Sequence, residues 1–99
     1  MQPTFQSYVE GAGAELKCPS CGSSFLHHEK VEVFDREDDG KDGLRVGISG
    51  GKVSVDMDLD GNPSRRRNGL CISFWCENCD VKPVMEIVQH KGNTLINIE

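Results

Sequence analysis

Two cysteine pairs lie far apart in the chain, Cys18-Pro19-Ser20-Cys21-Gly22 and Cys76-Glu77-Asn78-Cys79. Each C-x-x-C turn offers two thiolates, and together they supply the four soft ligands of a tetrahedral metal site. Nothing else in the chain constrains the fold as much. The stretch from Gly22 to Trp75 has to leave the first turn and return to the second. A meander of antiparallel strands does this, because such strands bring their ends back to one edge. Pro19 presets a turn and Gly22 tolerates a positive φ, so the first pair has the chemistry of a tight knuckle. Asp80 stands after Cys79 where glycine would be most comfortable, and aspartate can enter the left-handed region at some cost.

The rest of the chain reads as strands and turns. Phe25 to Phe34 has strand character, with Val31 and Val33 on one side and Glu32 and Phe34 on the other. Gly50-Gly51 suits a two-residue type I′ turn. Folding about it sets Ile48 opposite Val53, Val46 opposite Val55 and Leu44 opposite Met57, while Arg45 meets Asp56 on the reverse face. The alternation continues through Leu59 and predicts a strand with an acidic outer face. The calcium-loop likeness of Asp56 to Gly61 fails, because Arg67 stands where a bidentate glutamate is needed. Leu70 to Trp75, Val84 to His90 and Thr94 to Ile98 are further strands. A turn at Lys91-Gly92 would pair Ile87 with Ile96 and Met85 with Ile98, and a longer loop that takes in Asn93 is the alternative. Residues 1–15 carry little pattern, and Gly11-Ala12-Gly13-Ala14 reads as a joint in a flexible N-terminal segment. Residues 16–99 then form one domain.

At the two cysteine turns the chain resembles the zinc-ribbon family. The resemblance implies a small all-β domain, an antiparallel sheet or meander with a central hairpin, about residues 44–59, inserted between knuckles at 18–22 and 76–80. It also implies one structural Zn²⁺ held by Cys18, Cys21, Cys76 and Cys79. Rubredoxin, an iron electron carrier, uses two similar knuckles, and tetrahedral S₄ does not by itself separate zinc from iron. The aromatic core of rubredoxin is absent here. A short acidic chain of this build also looks like the small zinc-ribbon accessory proteins of phages and mobile elements.

Composition narrows the functional classes. The hydrophobic fraction is 36%, which makes a thin core that a bound metal would reinforce. Five cysteines leave Cys71 as a spare, read as a small core residue on the strand face opposite Cys76. The start of the chain shows no signal peptide and no stretch is long and apolar enough to span a membrane, so a cytoplasmic location is expected, where thiols stay reduced for metal. A closed Cys₄ site keeps no open position for a substrate, and His27, His28 and His90 form no catalytic arrangement. A non-catalytic binding module is therefore expected, without a small-molecule substrate. Its candidate contact residues are Arg65, Arg66 and Arg67 in a basic loop, Asp38 and Asp39 in the acidic loop from Asp35 to Asp42, and Lys30, Lys82 and Lys91. The net charge of −5 favours a protein partner over nucleic acid, whose binding rests on phosphate neutralisation. The nucleic-acid alternative would use the arginine loop with Trp75 or Phe74 nearby.

Overall fold

A computed structural model describes residues 1–8, 11, 13–37 and 39–99. Eight strands follow one another: β1 (Phe5–Ser7), β2 (Ala14–Leu16), β3 (Leu26–Arg36), β4 (Gly43–Ser49), β5 (Lys52–Asp56), β6 (Gly69–Cys76), β7 (Val84–His90) and β8 (Asn93–Ile98). The first two pair with each other, and the other six form one antiparallel sheet in the order β5-β4-β3-β6-β7-β8. The fold is all-β. No helix among the described residues is long and apolar enough to cross a membrane.

The hairpin from β4 to β5 has the expected register. Gly50 and Gly51 both take positive φ, 58° and 77°, as a type I′ turn requires, and Ile48 faces Val53 while Val46 faces Val55. Lys91 and Gly92, at φ 49° and 84°, do the same between β7 and β8, setting Ile87 opposite Ile96 and Met85 opposite Ile98. Strand β5 stops earlier than the alternation predicts. The Asp56 carboxylate accepts the Asp58 N–H at 3.0 Å, and that of Asp58 accepts the Asp60 N–H at 2.9 Å. These two local turns compete with the ladder and end it, so Met57 is not paired with Leu44. Leu59 instead packs beside Gly43, where an added Cβ would come within 2.9 Å of it.

Strand β3 carries a bulge. Its register against β6 slips by one residue between His28 and Lys30, leaving Glu29 unopposed. Leu26 and His28 therefore share a face with Val31 and Val33. His27 lies on the reverse face, where its ring stacks on Trp75 at 4.3 Å and its Nε2 pairs with Glu77.

The two faces of the large sheet differ sharply. One carries two unbroken apolar rows across all six strands. The first is Val53, Ile48, Val31, Ile72, Met85 and Ile98, and the second is Val55, Val46, Val33, Leu70, Ile87 and Ile96. The other face is polar at its centre. Arg45 donates to both oxygens of Asp56, at 3.0 and 2.5 Å, and to Glu32 at 2.8 Å. The Arg45 guanidinium, helped by the Asp58 N–H, holds the Asp56 carboxyl down at about 2.

At one end of this polar face, residues 57–68 fold back over the sheet and bury Phe34, which is 1% exposed. Ser64 fastens this loop: its hydroxyl donates to the Gln89 carbonyl and accepts the Arg67 N–H, each at 3.0 Å. Elsewhere the core is thin. Apart from Phe34, the buried apolar side chains among the described residues are Cys18, Cys76, Met85, Ile98 and Pro83. The N-terminal segment carries the β1–β2 hairpin, and Met1 reaches the edge of β8, where its carbonyl accepts the Ile98 N–H at 2.9 Å.

The contact between loop and strand at Gly69 yields a prediction. A Cβ there would meet Asn62 Oδ1 at 2.2 Å and Pro63 Cδ at 2.8 Å, and Asn62 is itself anchored to Ser64 and Arg67. Gly69→Ala should cost about 1–3 kcal/mol, read as a lower urea midpoint of the metal-loaded protein.

Candidate metal centre

Strands β3 and β6 run side by side, and their shared end builds the site. Leu26 lies opposite Cys76, so the chain just before β3 and just after β6 must meet there. The Glu77 N–H donates to the Phe25 carbonyl at 3.1 Å and extends the ladder into the second knuckle. The Asn78 amide donates to the Ser23 hydroxyl at 2.9 Å and ties one knuckle to the other.

Within the first knuckle, the Gly22 N–H donates to the Cys18 carbonyl at 3.0 Å, and Gly22 turns the chain at φ 77°. The Cys18 N–H then donates to the Ser23 carbonyl at 2.7 Å. Asp80, the counterpart of Gly22, does not enter the left-handed region. The second knuckle closes differently: the chain runs on to the buried Pro83, whose carbonyl accepts the Phe74 N–H at 2.8 Å.

The Sγ atoms of Cys18, Cys21, Cys76 and Cys79 all lie within 4.8 Å of one another. Across the knuckles, Cys18 and Cys79 are 3.7 Å apart and Cys21 and Cys76 are 3.6 Å apart. A disulfide needs about 2.05 Å, so neither pair is bridged. A tetrahedron of sulfurs with metal–sulfur bonds of about 2.3 Å has edges of about 3.8 Å. The four cysteines therefore form a quartet of the right size for one tetrahedral metal ion.

The electrostatics favour the same chemistry. Burial resists ionisation of Cys18, but the N–H groups of Cys21 and Ser20 point at its sulfur, and its thiol is lowered to about 7. The Val81 N–H pulls the Cys79 thiol down, yet burial and its three cysteine neighbours outweigh it and push that thiol up to about 12. At Cys21 the Ser23 N–H is similarly overcome by burial and by Cys76, and the thiol is raised. Four sulfurs this close cannot all carry negative charge without a counter-charge. A divalent cation between them removes the conflict, and the inward N–H groups share in stabilising the thiolates.

Cys71 stands apart on the polar face, between Glu32 and Glu86. Burial, then the charges of Glu86 and Glu32, push its thiol up to about 11, the reverse of what a reactive cysteine needs.

The acidic and basic loops come together in an arrangement that sequence spacing does not reveal, whereas Lys30 pairs with Glu32 at 3.6 Å on β3 and Lys82 follows the second knuckle. Arg36 joins the two loops: its guanidinium donates to the Gly40 carbonyl at 2.5 Å and to the Arg65 carbonyl at 2.8 Å. The Asp39 N–H donates to the Arg66 carbonyl at 2.9 Å, and the Arg66 side chain pairs with Asp39 at 3.4 Å. The acidic and basic loops thus form one surface. Asp38 lies outside the described residues. A surface cleft of 510 Å³ is lined by Arg65, Arg66, Arg67, His90 and Lys91 above Val88 and Leu95. Trp75 is not near it, because β6 carries the chain about 20 Å from Gly69 to Trp75.

No protein family, no curated protein and no solved structure matches this chain. The cysteine quartet itself is what supports a zinc-ribbon-like site.

Substitution separates the quartet from the spare thiol. Cys18→Ser and Cys79→Ser should each lower metal affinity by more than about 100-fold, beyond the loss of an outer partner, while Cys71→Ser should keep one metal per chain. Metal content after dialysis against a competing chelator measures both.

Proposed function

We propose that this chain is a non-catalytic binding module, fastened by one structural zinc ion and acting as a small regulatory or inhibitory protein that docks on a protein partner. The sulfur quartet carries the reading. Its four ligands all come from the chain, so a tetrahedral ion held there keeps no position for a substrate. Zinc is preferred over iron because the aromatics that adjoin the knuckles in sequence are not buried: Phe25 and Trp75 are exposed and Phe74 is half-buried. On this reading the metal joins the ends of β3 and β6 and so supports the sheet. The role suits a small accessory protein of a phage or mobile element.

A protein partner is preferred because the arginine loop is not a free basic track. Arg66 is engaged by Asp39, and the joined loops show mixed charge in a chain of net charge −5. Mixed charge suits a protein surface, whereas a phosphate backbone calls for an unbroken basic path. The second reading, binding to nucleic acid, draws on the cleft shared by Arg65–Arg67, His90 and Lys91.

Metal analysis and binding assays test these readings. The purified protein should be colourless with one zinc per chain, and chelation should unfold it; a red protein with a visible charge-transfer band would identify an iron carrier instead. A partner protein recovered from the native cell should be lost with Arg65→Ala/Arg66→Ala/Arg67→Ala. Tight binding of a single-stranded oligonucleotide, weakening steeply with salt, would move the assignment to nucleic acid.

A further inference from the structure

A sheet with one apolar face ordinarily buries that face against a second layer. Here the two apolar rows cross six strands, yet among the described residues the covering is confined to the knuckle end, where Met85 and Ile98 are buried. Leu44, Ile48, Val33, Val53, Val55 and Ile96 remain 40–66% exposed. The loop that closes over Phe34 lies on the reverse face, and so do the ion pairs of Arg45. We infer that the missing layer is a second copy of this chain, the two apolar faces packing together as a β-sandwich about a two-fold axis.

Area supports a self-made pair. The exposed parts of the two rows come to roughly 600 Å² per copy, at the upper end of the largest patch found on typical monomers. Two copies face to face would bury roughly 1,200 Å² from these side chains alone, which reaches the size of stable specific interfaces. Charge supports it too. The two rows contain no charged residue, and Asp35 beside Leu44 stands at their margin. Selecting a different protein ordinarily relies on complementary charge, whereas a flat uncharged face is complementary to itself. The net charge of −5 on each copy does not forbid this, because Glu32, Asp56 and Glu86 project from the reverse face. Packed sheets of this kind sit about 10 Å apart, with their strands about 30° from parallel. The inference does not depend on which metal the cysteines hold or on the docking role proposed above.

Sedimentation equilibrium of the full metal-loaded chain over a dilution series tests it. The expected mass is twice 10.9 kDa. Ile48→Glu, or the milder Val53→Glu on the outermost strand, should raise the dimer dissociation constant by about 100-fold or more, since each would bury an unpaired charge. Ser54→Glu, which adds the same charge to the reverse face beside Val53, should leave it unchanged. Retained far-ultraviolet dichroism and metal content identify the variants that still fold. Two results would overturn the inference: a wild-type monomer at every concentration, including one whose apolar face binds some other protein, or a dimer that persists in both glutamate variants.

Discussion

Strands β3 and β6 lie at the centre of the large sheet, and their pairing decides where both knuckles stand. Each strand hands the chain to a cysteine turn at the same end, one on entry and the other on exit. The four sulfurs converge because two neighbouring antiparallel strands begin and end there. The remaining strands attach outward from this pair, β4 and β5 on one side and β7 and β8 on the other. A metal in the quartet would therefore act on the middle of the sheet. Its binding free energy would be felt wherever that sheet is felt, as in small domains that fold around an ion.

The features that were legible in the sequence are those written in neighbouring residues. Gly50-Gly51 and Lys91-Gly92 announce two-residue turns, and once a turn is placed, alternation sets every pair along the hairpin. The four cysteines were equally legible, since two C-x-x-C pairs on one chain have the spacing that supplies four ligands to one metal. The end of β5 was harder to see. Val53, Val55, Met57 and Leu59 alternate without a break, but the carboxylates of Asp56 and Asp58 capture backbone N–H groups and turn the chain aside. Alternation records which side chains want burial, and it is silent about a side chain that competes for the backbone.

The loops were the least legible. Arg36 reads as one charge in an acidic run, yet it binds carbonyls in two separate loops and makes them a single surface. Ser64 reads as a turn residue, yet its buried hydroxyl joins a loop to β7. The bonds from Arg36 to Arg65 and from Ser64 to Gln89 link residues far apart in the chain, so no local pattern encodes them. The apolar rows had the opposite difficulty. Each strand contributes an ordinary pair of hydrophobic residues, and only the register of all six strands reveals that the pairs fall into line.

The unopposed Glu29 has a bearing on how this chain can change over time. Because side chains alternate, the extra residue restores Leu26 to the same side as Val31, and with it the heading at which the chain arrives from Cys21. The identity of that residue matters little, since its own side chain is exposed. Its presence matters a great deal. Drift at position 29 is cheap, whereas loss of a single codon there would invert the incoming segment and point its sulfurs away from their counterparts.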